Sequence, residues 1–192
     1  MDPSDPDFIY LGVDRKALLK QYGDSFDSKK NMWIPDEKEG YIAITVEETN
    51  GDKVTVKTDK GETKVVKQDS LEQMNPPKFM MIEDMANLTF LNDASVFDNL
   101  RQRYYKNLIY TYSGLFCIAV NPYRRFPIYT SQVIMKYKGK RRGEMPPHIF
   151  SISDNAYSNM LVGKLINHFL LLEKVVLGKL KTRKKLLLTS PM

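Results

Sequence analysis

The sequence predicts a mixed α and β fold, in which a small antiparallel β-barrel of the SH3-like kind precedes the incomplete start of a larger α/β domain. Between residues 29 and 79, apolar residues alternate with period two and turn residues separate the runs. From residue 80 onward, helical patterns alternate with a continuous apolar run, as in α/β domains. With 42% hydrophobic and 27% charged residues among 192, the chain has the composition of a globular protein.

Residues 1–28 are predicted to form an N-terminal extension with one short helix. In the run RKALLKQYGDSFDSKK, Leu18, Leu19 and Tyr22 lie at near-helical spacing. Gly23 and the polar residues after it end the pattern early. We therefore expect a short helix followed by a linker.

The barrel prediction, residues 29–79, rests on three short strands and two turns. Apolar residues alternate at Ile42, Ile44, Val46, Val54 and Val56. The Asn50–Gly51 pair between these runs is a strong hairpin signal. A second break at DKGE precedes the strand-like run TKVVKQDS, and MNPPKF then marks a linker. At least three antiparallel strands of a small barrel are predicted.

The following unit, residues 80–162, is predicted to be truncated. Asn92 or Asp93 can cap a helix in ASVFDNLRQRYYKN, with Val96, Leu100 and Tyr104 on its buried face. The runs LIYTYS and LFCIAVNP predict two strands joined at a glycine, the second buried on both faces. Helices are expected from residue 131 to about 140 and over HIFSISDNAYSNMLV. Too few strands follow to complete a sheet.

The net charge of +6 lies entirely in the last thirty residues. Residues 163–192 contain seven Lys or Arg and one Glu, which leaves 22 basic and 22 acidic groups in residues 1–162. The zero net charge of residues 1–162 argues against a nucleic-acid-binding protein. No run reaches the roughly 18 apolar residues of a membrane span, and the acidic N-terminus is unlike a signal peptide. The sequence thus predicts neither nucleic acid nor a membrane as partner.

The one cysteine and the two histidines predict no disulfide and no metal site. Cys117 lies in the apolar run GLFCIAV and is expected to be a small buried residue, which favours a reducing, cytoplasmic setting. His148 and His168 have no acidic or cysteine companions at ligand spacing.

Several long strings resemble the N-terminal part of the motor head of class II, muscle-type myosin heavy chains. They are WIPDEKEGYIAITVEE, NPPKF, MANLTFLNDASVFDNLRQRY, IYTYSGLFCIAVNPYRRFPIYT and PPHIFSISDNAY. The resemblance runs from about Phe8 to Val162. It implies a myosin N-terminal SH3-like domain followed by the start of an actin-activated ATPase. In the parent family the cofactors are ATP and Mg²⁺ and the partners are actin filaments and light chains, within the cytoplasmic thick filament of muscle.

The resemblance also implies a binding loop for adenine after the apolar strand. Carried over to this sequence, the candidate residues are Asn121, Pro122, Arg125 and Tyr129. Two prolines stiffen such a loop, the tyrosine offers a ring and a hydroxyl, the asparagine an amide, and the arginine a cationic fork. Read without the family, the same loop is an ordinary surface turn with a packed tyrosine.

The phosphate-binding loop that the family has after the NAY helix is absent. No G-x-x-x-x-G-K-[ST] occurs, and Gly163–Lys164 and Gly178–Lys179 are each followed by Leu. Residues 169–186 can be encoded by a set of codons that, when the first two bases are skipped, translates as LITGESGAGKTENTKKV. This alternative frame contains the phosphate loop of the family. We therefore hypothesise that a frameshift near Gly163 has replaced the phosphate loop with a non-homologous basic tail, residues 163–192.

Three other interpretations of the chain stay open from sequence. The tail could form a basic amphipathic helix that binds an acidic membrane surface or a calmodulin-like partner. This interpretation rests on apolar residues at steps of three and four: Leu165, Phe169, Leu172, Val176 and Leu180. A partly helical extension without a function is the alternative. The barrel could also be a non-catalytic SH3-like interaction module. With the phosphate loop missing, we expect no catalytic residues and neither ATPase nor motor activity from this chain.

Overall fold

A computed structural model describes residues 1–22, 26–163, 169–177 and 180–188. Two short helices begin the chain: α1 (Phe8–Leu11) and α2 (Arg15–Tyr22). Five strands follow: β1 (Asn31–Asp36), β2 (Gly40–Asn50), β3 (Lys53–Thr58), β4 (Thr63–Lys67) and β5 (Glu72–Gln73). The second unit contains α3 (Asp93–Tyr105), β6 (Tyr110–Ser113), β7 (Phe116–Ala119), α4 (Ser131–Tyr137) and α5 (Ile149–Gly163). Two strands end it, β8 (Phe169–Leu177) and β9 (Leu180–Leu188).

The first five strands form one antiparallel sheet in the order β4-β3-β2-β1-β5. Its interior is built by Ile34, Ile44, Val54 and Val56, which alternate along their strands and face one another. The Asn50–Gly51 turn joins β2 to β3, and Gly51 adopts a φ of 59°, a value that favours glycine. The predicted small barrel is therefore confirmed. Strand β1, with a proline in NMWIPD, was not predicted.

Helix α3 has the predicted start but a different buried face. The Asn92 side chain accepts a hydrogen bond from the Ser95 backbone N–H at 2.9 Å, which caps the helix. The residues that α3 buries are Ala94, Ser95, Asn99 and Arg103. Val96, Leu100 and Tyr104, which the spacing places on one face, are only half-buried.

The buried side of α3 is polar because it satisfies backbone carbonyls of the linker. Asn99 Nδ2 donates to the Ile82 carbonyl at 3.2 Å, and Arg103 Nη1 donates to the Met81 carbonyl at 3.0 Å. Met81 and Ile82 belong to no helix or strand, and side chains supply the partners of their carbonyls, whereas the Glu83 carbonyl accepts from the Tyr112 backbone N–H at 2.8 Å. The apolar pattern could not reveal this role.

Strands β6 and β7 form the predicted antiparallel hairpin, turning at Gly114 with a φ of 57°. The prediction that the second strand is buried on both faces is wrong. Strand β6 is buried, whereas Phe116 of β7 is 67% exposed and the adjoining Leu115 is 91% exposed. Strand β7 pairs only with β6 among the described residues, and an apolar edge is left uncovered. Cys117 is half-buried, and burial raises the pKa of its thiol.

The N-terminal residues pack into the second unit. Leu11 belongs to a buried cluster with Ile109, Tyr110, Ile128, Val133 and Tyr137. Lys136 Nζ donates to the carboxylate of Asp5 at 2.6 Å and to that of Asp7 at 2.5 Å. Helix α4 ends at Tyr137, three residues before the predicted end.

In the tail, β8 and β9 pair antiparallel from Phe169 opposite Leu188 to Leu177 opposite Leu180. The predicted helix is therefore wrong for these two segments, and its first residue, Leu165, lies outside the described residues. No helix in the described part of the chain has the length and apolar character needed to cross a membrane.

Candidate functional site

The candidate loop connects β7 to α4 and is anchored at its far end. Ile128 is buried in the cluster that also contains Val133 of α4. Thr130 Oγ1 accepts a hydrogen bond from the Val133 backbone N–H at 3.3 Å and so caps α4. Residues 121–127 are mostly exposed. The loop therefore presents polar side chains to solvent from a fixed base.

Asn121 shapes the start of the loop. Its Oδ1 accepts a hydrogen bond from the Tyr123 backbone N–H at 2.8 Å, a local turn that asparagine forms readily. Tyr123 has a φ of 53° and points into solvent. Because the turn uses Oδ1, the amide NH₂ of this exposed residue can donate to a ligand.

Tyr129 is held from behind by a second tyrosine. Its hydroxyl lies 2.8 Å from the hydroxyl of Tyr110, which is in the buried strand β6. The Tyr129 ring also packs on His148 and Phe150, with centroid distances of 5.6 and 6.1 Å. Burial, followed by the Tyr129 contact, raises the pKa of Tyr110. Tyr129 stays 52% exposed, so it is oriented yet accessible.

His148 lies beneath the loop as a neutral, buried imidazole. Its Nδ1 accepts a hydrogen bond from the Phe150 backbone N–H at 3.1 Å, at the start of α5. Desolvation lowers the pKa of His148 to about 4, and the Ile128 backbone opposes this effect only in part. Rings of Tyr110 and Tyr137 lie 4.8 and 5.0 Å away. These ring contacts pack His148 against the base of the loop.

The two arginines of the loop differ in their surroundings. Arg124 Nη2 donates to Asn107 Oδ1, and its guanidinium lies 5.0 Å from the centroid of the Phe126 ring. Arg125 is exposed. The stacked arginine has a structural role in the loop, whereas Arg125 is placed to meet an anion from solvent.

A cavity of about 340 Å³ lies under the loop. Three of the four predicted site residues border it: Pro122, Arg125 and Tyr129. Asn121 does not line this cavity and lies at the start of the loop. The remaining walls are Ile109, Arg124, Phe126 and Ile128. Two aromatic rings and two arginines are therefore among the walls of this cavity.

Sequence reasoning missed Tyr110, the residue that fixes Tyr129. The run IYTYS shows an alternation of tyrosines, but nothing in it says which hydroxyl faces the loop. A Mg²⁺ ion is not supported by the residues present: the described ranges contain no group of three or more His, Cys, Asp or Glu that could hold a metal.

Two family models match the chain over most of its length. The model of the myosin N-terminal SH3-like domain matches residues 19–75. The model of the myosin head (motor domain) matches residues 82–187, which is more than half of the chain and reaches into the basic tail. The barrel, the loop and the two family matches together identify the chain as the N-terminal part of a motor head. The chain belongs to the myosin family.

Curated relatives agree with this assignment. Myosin-3 of Caenorhabditis briggsae is 51% identical over 184 residues, which are 96% of this chain and 9% of that protein. Myosin-3 of Caenorhabditis elegans is 50% identical over 184 residues, with the same coverage. The non-muscle myosin heavy chain of Drosophila melanogaster is 42% identical over 190 residues, 97% of this chain and 9% of its own length. The chain thus spans about a tenth of these relatives.

Proposed function

We propose that this chain is the N-terminal segment of an actin-based motor, a muscle-type class II heavy chain, and carries the adenine-binding part of its ATP site. The observation that supports the proposal is the cavity bordered by Pro122, Arg125 and Tyr129, in a chain that matches the motor head. Tyr129, oriented by Tyr110, contacts the base, and the Asn121 amide donates to it. Arg125 interacts with the ribose or a phosphate.

The chain by itself is proposed to be inactive. ATP binding in such sites depends on backbone N–H groups that surround the phosphates, and the sequence lacks the glycine-rich motif that supplies them. Of the described residues, two arginines border the cavity: Arg124, which bonds to Asn107, and Arg125. By this proposal they do not replace the missing backbone N–H groups. Binding of actin filaments and light chains, and residence in the thick filament, belong by this proposal to the complete heavy chain.

Adenine recognition can be tested on the whole chain by NMR. We expect adenosine 5′-monophosphate at millimolar concentration to shift amide signals of residues 121–130, and ribose 5-phosphate to shift them far less. Tyr129→Ala should weaken the nucleotide response several-fold, because the ring borders the cavity. Tyr123→Ala is the matched control in the same loop, since its exposed ring does not line the cavity. Equal responses to both ligands would contradict the adenine role.

The proposed inactivity is tested by phosphate release. The purified 192-residue protein with MgATP, with and without actin filaments, should release phosphate no faster than buffer alone. Hydrolysis above that background, or micromolar affinity for MgATP, would contradict the proposal. The frameshift hypothesis has its own test in the coding DNA: it fails if codons 164–191, read in the alternative frame, do not encode the phosphate loop.

A further inference from the structure

The outer face of strands β3 and β4 carries three exposed lysines. Val54 and Val56 of β3 are buried in the barrel. Because side chains alternate along a strand, Lys53 and Lys57 face the other way, to solvent. Lys67 of β4 lies directly opposite Lys53 and shares its face. These three residues are called the lysine face below.

The charges of the lysine face are not compensated. Within the described part of the chain, none of its three lysines forms an ion pair. Like charges directly opposite each other on neighbouring strands repel, as Lys53 and Lys67 do. An anion placed beside Lys67 would offset this repulsion.

Strand β4 has a free side next to the lysine face. Among the described strands β4 pairs only with β3, so it ends the sheet. Such an edge presents backbone N–H and C=O groups to which another extended segment can bond. Val65, in the middle of β4, lies opposite Thr55 and therefore on the same face, and it is 63% exposed. An added strand would thus meet an apolar side chain between lysines.

The acids of the barrel lie away from this edge. Glu47 and Glu48 are on β2, three strand spacings or about 14 Å from a strand added to β4, whereas the lysines of β3 are only two spacings away. Glu62 is paired with Lys64 at 3.4 Å. The remaining acids near β3 and β4 lie beyond the ends of these strands: Asp52, Asp59 and Asp69. The positive surface therefore extends along the five residues of β4.

A second copy of this chain does not suit the edge. Pairing β4 with the β4 strand of another copy would bring Lys64 and Lys67 of one chain beside those of the other. Lysines on an edge strand commonly prevent association in this way. The same charges favour a strand of opposite sign.

We propose that β4 is a docking edge for an extended acidic segment of a partner protein, which adds to the five-stranded barrel sheet as a further strand. Two acidic side chains of the segment, four residues apart, lie on the lysine face. One meets Lys67 and Lys53, and the other reaches Lys57 across the small side chain of Thr63, which is opposite it. The residue midway between the two acids is apolar and packs on Val65.

The probe for this edge is the peptide Ac-GETVTEG-NH2, in which both glutamates and the valine share one face of a strand. Added to the whole chain, it should shift the NMR signals of backbone amides in residues 63–67 saturably, and it should slow hydrogen exchange of the amides that are free at the edge. The neutral peptide Ac-GQTVTQG-NH2 should bind about two- to tenfold more weakly. Ac-GEETTVG-NH2, with the same composition but one glutamate on each face, should also bind more weakly.

Lys67→Gln should weaken binding of the acidic peptide about two- to fivefold, the effect of one lost exposed ion pair, and change binding of the neutral peptide little. Lys38→Gln is the matched control, because Lys38 is an exposed lysine between β1 and β2 of the same barrel. It should bind like the unaltered chain. The proposal is overturned by any of four results: no saturable shift, unchanged hydrogen exchange in β4, equal affinity for the two glutamate peptides, or equal losses in Lys67→Gln and Lys38→Gln.

Discussion

Arg103 has the largest fully buried side chain among the described residues, with 1% exposure. Its guanidinium donates to Thr111 Oγ1 at 2.8 Å, the Met81 carbonyl at 3.0 Å and the Tyr110 carbonyl at 2.7 Å. Desolvation lowers its pKa to about 10, and Glu83 opposes this effect only in part. The group therefore stays charged at neutral pH. It connects α3 to β6, the strand that orients Tyr129.

Replacing Arg103 should strongly lower the free energy of unfolding. Arg103→Met removes the bonds to Thr111 and Tyr110 and leaves the Met81 carbonyl with a single bond of 3.3 Å from Arg15 Nη2. We expect a loss of the order of 3 kcal/mol in the free energy of unfolding, measured by urea denaturation with circular dichroism. Arg103→Lys keeps the charge but cannot bond to all three, so it should lose less. Arg141→Met, at an exposed ion pair with Glu144, is the control and should change stability by less than about 0.5 kcal/mol.

The buried His148 predicts acid sensitivity. Its pKa is about 4 in the folded chain and about 6.5 when unfolded. Between these values the unfolded chain binds a proton that the folded chain does not, so the free energy of unfolding should fall as the pH drops from about 6.5 to 4. The contribution is of the order of 3 kcal/mol. Burial raises the pKa of Tyr110 and of Tyr137 beside the ring, so these two groups stay neutral over this range.

The variant His148→Asn isolates this effect, because asparagine can still accept a bond at the start of α5 but does not titrate there. Urea denaturation of both proteins at pH 7 and pH 5 measures it. The variant should lose less stability than the unaltered chain between these two values. Equal losses would show that other groups cause the acid sensitivity.

At the scale of elements, α3 depends on a cap that also reaches the barrel. Asn92 Oδ1 accepts from the Ser95 N–H, while its Nδ2 donates to the Gln73 carbonyl at 2.9 Å. Asn92→Ala should lower the free energy of unfolding by about 1–2 kcal/mol. Asn92→Asp keeps the oxygen that caps the helix but loses the N–H that donates to Gln73. Chemical denaturation should therefore give it a free energy of unfolding between those of the unaltered chain and Asn92→Ala. If Asn92→Asp were as unstable as Asn92→Ala, the bond to Gln73 rather than the cap would be the main contribution.

The uncovered edge of β7 should promote self-association. Phe116 and Leu115 are both exposed at a strand whose other side has no partner strand within the described ranges. Phe116→Lys should raise the monomer fraction in sedimentation velocity without loss of helical circular dichroism. Thr63→Lys, a change at an exposed residue of the other edge strand β4, is the control and should have little effect.

The sequence revealed those elements whose signals are local. The Asn50–Gly51 hairpin and the cap at Asn92 were predicted because each depends on two or three neighbouring residues. The buried face of α3 was not, because Asn99 and Arg103 are buried by bonds to polar groups that are distant in the sequence, in residues 81–82 and in β6. Apolar periodicity cannot report such partners. Strand β7 was misjudged because an apolar strand does not show whether anything covers it.

The candidate site was predictable only in part. The resemblance supplied Asn121, Pro122, Arg125 and Tyr129, and the fold places the last three around one cavity. The hydroxyl contact between Tyr110 and Tyr129 depends on how β6 faces the loop, a tertiary relation with no sequence signal. The lysine face also needs the fold, since the register of β3 with β4 decides which lysines share it.

At the scale of the whole molecule, the barrel and the second unit are joined by more than the linker. Asn75 donates to the Phe90 carbonyl at 2.8 Å and to Ser95 Oγ at 2.9 Å, and its Oδ1 accepts from the Phe90 N–H at 2.8 Å. Glu72 Oε2 accepts from the Ala94 N–H at 3.1 Å, near the start of α3. These contacts argue against a barrel that works as an independent module.

Cutting the chain between the two units should therefore destabilise the second one. We expect residues 80–163 alone to lose near-ultraviolet circular dichroism and to be digested rapidly by trypsin, whereas residues 1–163 resist. Asn75→Ala in the longer chain should give an intermediate digestion rate. A protease-resistant core from residue 80 to 162 in the shorter chain would contradict this expectation.

The first ten residues also reach the candidate loop, residues 121–129. Tyr10 packs on Phe126 with a centroid distance of 5.3 Å, while Asp5 and Asp7 hold Lys136 of the helix that follows the loop. A purification tag fused ahead of Met1, or an acetyl group on Met1, would therefore lie close to the candidate loop and could change its affinity for a ligand. For ligand-binding assays, a purification tag is better placed at the C-terminus.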